Sequence, residues 1–149
     1  GIVDEALSIA DLFTDKDATL LITKDKEVNE EVRKSKTDKK LDLPAIVLTN
    51  ENTASASELL VGVLKDYNIA TSVGTVTFGK GVIQELLTLP DESGLKITTN
   101  EYYTPNGNKI NKIGIEPDEK VELPDEYKNV LSVPKDKDTQ LNKAIELLK

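Results

Sequence analysis

The chain has no histidine and no cysteine among its 149 residues, and only four tyrosines and two phenylalanines. Without histidine a Ser-His-Asp triad cannot be built from this chain, and without cysteine a thiolate nucleophile is excluded. The usual zinc ligands disappear with them. Cysteine's absence says little about redox compartment, because a disulfide-free domain can exist anywhere. The shortage of aromatics leaves the core to aliphatic side chains. No apolar run approaches the roughly 20 residues of a membrane span, and the opening Gly1-Ile2-Val3-Asp4-Glu5 lacks the basic region of a signal peptide. No membrane contact by this chain is expected. Basic residues are also outnumbered, 19 against 27 acidic, giving net charge −8 and a pI near 4.7. Such a surface repels phosphate backbones, which argues against nucleic acid as a partner.

The length fits one domain with a sizeable core. Asp15-Lys16-Asp17 and Asp136-Lys137-Asp138 interleave carboxylates with lysines as solvated turns do, and no calcium-loop pattern occurs, so no metal site is expected. Ile2 to Phe13 carries apolar residues at helical spacing with Asp4 and Glu5 in its opening turn. A chain that starts flush against an amphipathic helix is expected to be an excised piece of a longer protein. Leu20–Thr23 and Val28–Val32 read as a hairpin, followed by a lysine-rich loop from Lys34 to Lys40. Pro44 to Thr49 is a continuous apolar run, as expected of a strand buried on both faces. Leu59, Leu60, Val63, Leu64 and Tyr67 mark a helix from Ala56, stopping near Asn68. Ala70–Thr77 is strand-like. Val82–Leu89 fits helix or strand, and the turn at Pro90–Gly94 before the β-rich Leu95–Tyr103 favours a hairpin. Asp138 is placed to cap a closing helix with Leu141, Ala144, Ile145 and Leu148.

Ser55 stands at the head of the central helix, with Glu58 three residues later. That spacing is a capping box, the commoner use of such a serine. It also suits a nucleophile: the N–H of Ala56 would face a developing oxyanion, the helix dipole would stabilise it, and small Ala54 and Ala56 would leave room for substrate. Ser57 is the second hydroxyl to weigh, expected to turn another way. With histidine and cysteine absent, lysine is the natural base, and Lys80 lies between Gly79 and Gly81 among Phe78, Val76, Val82 and Ile83. Apolar surroundings of that kind are expected to desolvate the amine, as a base working near neutrality requires. On a strand from Val82, Gln84 would share a face with Lys80 and could orient its amine. The same lysine ends Gly74-Thr75-Val76-Thr77-Phe78-Gly79-Lys80, which matches a phosphate-binding loop until Gly81 replaces the Ser or Thr that would ligate magnesium. Bulky Val76 and Phe78 further weaken a nucleotide reading.

Taken in order, Leu48-Thr49-Asn50-Glu51-Asn52-Thr53-Ala54-Ser55-Ala56-Ser57-Glu58, Asp66-Tyr67, Gly74 through Gly81 with Gln84, and Tyr102-Tyr103-Thr104-Pro105-Asn106-Gly107 through Gly114-Ile115-Glu116-Pro117-Asp118 closely resemble the carboxy-terminal processing peptidases, or tail-specific proteases. Asn52 and Lys112 stand where glycines are common in that family. The resemblance spans essentially the whole chain and implies an α/β fold with a crotonase/ClpP-like core, a mixed β-sheet and flanking helices. It implies a serine endopeptidase with Ser55 as nucleophile, Lys80 as general base and Gln84 positioning Lys80. The oxyanion hole would use Ala56 and Gly1, and Asp66 would support the site from the far end of its helix. Residues 1–149 would form the C-terminal part of the catalytic core, without the family's PDZ domain and N-terminal segments. No cofactor is implied, and the partner is a polypeptide substrate near its C-terminus. The location implied is extracytoplasmic, with a membrane anchor in the full-length protein. The contrasting reading is a non-catalytic peptide-binding or assembly module of the same fold in which Ser55 is only a cap.

Overall fold

A computed structural model describes residues 1–128, 130 and 132–149. The element order is α1 (Val3–Asp11), β1 (Thr19–Asp25), β2 (Glu30–Lys34), β3 (Ala45–Thr49), α2 (Ala56–Asp66), β4 (Ala70–Gly74), β5 (Val82–Thr88), β6 (Gly94–Tyr103), β7 (Glu119–Lys120) and α3 (Thr139–Leu147). The fold is α/β, with its antiparallel and parallel pairings sorted into two sheets. One has four antiparallel strands in the order β2-β1-β6-β5, and the other three parallel strands in the order β3-β4-β7. Helix α2 packs against α1, β4 and β1, so it contacts both sheets. Among the described residues, no helix is long and apolar enough to cross a membrane.

Local chemistry accounts for the elements. Ala6, Leu7 and Ala10 form the buried stripe of α1. The β1–β2 turn is held by Asp25, whose carboxylate accepts the N–H groups of Glu27 at 2.8 Å and Asn29 at 2.9 Å. The ambiguous segment after Gly81 is a strand because it pairs with β6 along its length, from Val82 opposite Glu101 to Thr88 opposite Gly94. Helix α3 starts as expected: Asp138 accepts the N–H of Leu141 at 2.9 Å.

One burial expectation fails. β3 is an edge strand, and Leu48 on it remains 42% exposed. Val47 packs toward the core and the strand also contacts α3, while among the described residues no strand pairs with its outer edge. The buried central strand is β4, whose Ser72, Val73 and Gly74 are all inaccessible. Gly74 closes it at φ +139°, and a Cβ there would collide with the carbonyl oxygen of Thr49 on β3.

The core joins Leu7 and Ala10 of α1, Leu20 and Leu21 of β1, Leu59, Val61 and Val63 of α2, and Ile110 and Ile115. Tyr102 is the one aromatic buried with them. Leu59, 1% exposed on the face of α2 that the core covers, anchors this cluster. Leu59→Ala is expected to cost about 2–5 kcal/mol by transfer and cavity terms, read from urea unfolding midpoints at an unchanged slope.

Candidate active site

Ser55 joins the loop after β3 to the first turn of α2, and its backbone sits at φ 60°, ψ −121°. A serine at a helix N-cap ordinarily adopts extended angles and caps with its hydroxyl. Here the backbone is not extended, yet Ser55 and Glu58 still form a capping box. The Ser55 N–H donates to Glu58 Oε2 at 2.8 Å, and the N–H of Glu58 donates to the Ser55 carbonyl at 2.9 Å. A non-glycine residue at such angles costs about 1–3 kcal/mol and persists only where its surroundings over-determine it.

Those surroundings centre on Glu58, which is completely buried. Oε1 accepts Thr77 Oγ1 at 2.5 Å and the N–H of Gly79 at 2.7 Å, while Oε2 accepts the N–H of Lys80 at 2.9 Å and that of Ser55 at 2.8 Å. Burying a carboxylate is costly unless hydrogen bonds replace its water, and four donors do so here. Thr77 Oγ1 also accepts the N–H of Ile115 at 2.8 Å, tying in the loop before β7. Gly79, at φ +85°, and Gly81 lie against residues 111–114, where a Cβ at Gly81 would run into the backbone of Asn111. The likeness to a phosphate-binding loop is thereby explained: N–H groups that would cradle a phosphate hold an internal carboxylate instead.

Lys80 continues from this loop. Its N–H bonds Glu58 and its carbonyl accepts the hydroxyl of Tyr102, so its main chain is held at both ends. Its side chain is exposed, so the expected desolvating enclosure is not formed by these residues. Ser55, Lys80, Gln84 and Tyr102 line one cleft of about 270 Å³. Gln84 lies at a bulge between Ile83 and Gln84 that interrupts simple alternation, and its amide donates to Thr98 Oγ1 at 3.4 Å rather than bonding Lys80.

Gly1 and Ala56 come together: a Cβ on Gly1 would lie 3.0 Å from that of Ala56. No acceptor among the described residues takes the N–H of Ala56. Val3 of α1 borders the Ser55 cleft beside them. Ser57 opens into a different cleft, with Leu48 and Asn52, away from Lys80. Asp66 sits at the far end of α2, where its carboxylate accepts the Asn106 N–H at 2.8 Å and braces that turn.

Two contributors escaped the sequence reading. Glu58 was visible only as a cap partner, since nothing local marks that Gly79 and Lys80 fold back onto it. Tyr102 was visible only as part of a β-rich run and of the Tyr102–Gly107 motif, with no role attached to it. Burial pushes its phenol up to about 12; the neighbouring Ser55 hydroxyl offsets part of this, and the Glu58 charge adds to it. Among the described residues, no group of three or more acidic side chains is placed to hold a metal ion.

Comparison with known proteins places these observations in a family context. Residues 1–121 match the description of peptidase family S41. A carboxy-terminal-processing protease of Bartonella bacilliformis is 42% identical over 135 residues, 86% of this chain and 30% of that protein. A carboxyl-terminal-processing protease of Synechocystis is 38% identical over 99% of this chain and 34% of its own length. Among solved structures, a photosystem II D1 C-terminal processing protease superposes with a TM-score of 0.77 at 36% identity, over 83% of this chain and 33% of that one. The chain thus spans about a third of the length of these relatives.

Glu58→Gln preserves shape but turns an acceptor atom into an amide facing backbone donors. It is expected to lose about 3 kcal/mol of stability, since a buried charge-assisted network is left unsatisfied, read by urea unfolding. For Tyr102 the folded pKa of about 12 lies above the unfolded value of about 10. Its contribution to stability is therefore fully present below pH about 10 and lost as pH rises through about 12. The melting-temperature gap between wild type and Tyr102→Phe should narrow over that window.

Proposed function

Because the chain belongs to peptidase family S41, we propose that it forms the catalytic core portion of a serine endopeptidase working through a Ser55–Lys80 dyad. The observation that carries this reading is Ser55 itself, held in a strained backbone on the same cleft as Lys80. In the proposed mechanism Lys80 Nζ takes the proton of Ser55 Oγ as the oxygen attacks a peptide carbonyl carbon. The oxyanion of the tetrahedral intermediate is stabilised by the N–H of Ala56, with the backbone nitrogen of Gly1 as second donor. Lys80 then protonates the leaving amine and the C–N bond breaks, leaving an acyl-enzyme. A water deprotonated by Lys80 attacks the ester, and collapse returns the proton to Ser55 Oγ. Gln84 positions the Lys80 amine.

A general-base lysine must lose hydration, and Lys80 is exposed in this structure. A peptide lying in the cleft would cover it and supply that desolvation. β5 is one of the two edges of the antiparallel sheet and contributes Val82 and Gln84 to the cleft, which suits an extended polypeptide pairing along it. The region near a polypeptide's C-terminus, where the relatives' names place their processing, is the substrate proposed here. An extracytoplasmic site of action and a crotonase/ClpP-like core belong to the same reading.

The test uses the full-length protein that contains this chain and an unfolded polypeptide substrate. Ser55→Ala and Lys80→Ala are each expected to lower kcat by roughly 10³-fold or more, and Gln84→Ala by less. Wild-type turnover surviving in either of the first two refutes the dyad. Peptide binding without cleavage by the wild type would favour the binding-module alternative.

A further inference from the structure

We propose that Tyr102 is a positioning residue for this chemistry, bracing the Ser55 hydroxyl against the main chain of Lys80. The inference rests on the dyad reading above. Tyr102 is 1% exposed and is the largest of the fully buried side chains. Its ring belongs to the core cluster with Leu59 and Ile110, while its hydroxyl borders the cleft shared by Ser55 and Lys80. A buried phenol needs a hydrogen-bond partner, and this one donates its proton to the Lys80 carbonyl. The N–H of Tyr102 donates to the Gly81 carbonyl at 3.0 Å, so β6 grips the segment after Gly79 by side chain and main chain together.

The donor of the phenol is spent on Lys80, so toward the neighbouring Ser55 its oxygen can only accept. In the proposed arrangement the Ser55 hydroxyl, on the same cleft, donates to this oxygen and is thereby linked to the residue that carries the base. Glu58 does the equivalent for the N–H groups of Ser55 and Lys80. Tyr102 acts on the other face of the same segment, through the Lys80 carbonyl, so the pair holds both polar groups of that peptide chain. High burial keeps the phenol neutral across the working pH range, so it holds the hydroxyl without taking the proton itself.

The test compares wild type, Tyr102→Phe and a variant with para-aminophenylalanine in place of Tyr102, in the full-length protein with an unfolded polypeptide substrate. Tyr102→Phe keeps the ring in the core, so a purely packing role leaves kcat unchanged. The positioning role predicts a kcat lower by about 10- to 100-fold at an unchanged KM, the scale expected when reacting groups are misplaced by about an ångström. Labelling of Ser55 by a fluorophosphonate, which needs no substrate recognition, should slow by a similar factor. The para-amino group restores a donor to the Lys80 carbonyl and should recover most of the lost rate, including where Tyr102→Phe folds poorly. A kcat within twofold of wild type in Tyr102→Phe, or no recovery with the para-amino variant, overturns the proposal. Ser55→Ala, run in parallel, checks the dyad separately: cleavage surviving there refutes the nucleophile assignment whatever Tyr102 does.

Discussion

The buried carboxylate of Glu58 is the interaction on which the rest of the site depends. It sits one turn into α2, fully out of water, and gathers donors from Ser55, Thr77, Gly79 and Lys80. Left unsatisfied, such a group would be among the costliest in the molecule. Satisfied, it joins the start of α2 to the loop between β4 and β5, and through Thr77 to the segment at Ile115. The two loops that carry Ser55 and Lys80 leave the neighbouring parallel strands β3 and β4, and this carboxylate joins them.

The strain at Ser55 has its counterweight in the same network. A residue at φ 60° holds that backbone only because its N–H is committed to Glu58 and its carbonyl accepts the N–H groups of Glu58 and Leu59. The glycines around Lys80 serve the same end from the other side. Gly79 turns its N–H toward the carboxylate, and Gly81 lets the chain pass against Asn111. Acidic glutamate, strained serine and glycine-flanked lysine form a single unit, with Tyr102 rising from the core to meet it. The exposure of Lys80 is consistent with this economy: the fold immobilises the main chain of the base and leaves its amine facing the cleft where a substrate would lie.

Much of the fold was legible in local chemistry. Apolar spacing marked α1 and α2, Asp138 announced α3, and turn residues separated β5 from β6. The run at Ala45–Thr49 was legible as a strand but not as an edge, because whether a strand has one neighbour or two depends on distant chain, here β4 and β7. For the site, Ser55 and Lys80 could be singled out from the missing histidine and cysteine and the ordered motifs around them. Locally, Glu58 could be seen only as a capping partner, since one of the donors it holds comes from its own helix start and the other three lie some twenty residues on. Gln84 was placed by strict alternation, and the bulge before it is a pairing effect that its own residues do not encode.

By itself, then, the sequence determined which chemistries are closed to this protein, where its helices and hairpins begin and end, and which hydroxyl and amine deserve scrutiny. These follow from residue identity and short-range spacing, which act within a turn of helix or a pair of strands. Only the tertiary structure decided that Ser55 is held in a strained backbone beside Lys80, that the glycine-rich loop cradles an internal carboxylate rather than a phosphate, and that Tyr102 joins the core to the cleft. Each of those outcomes turns on polar groups far apart in the chain that must find partners once buried, a requirement that exists only after the sheets and α2 have packed.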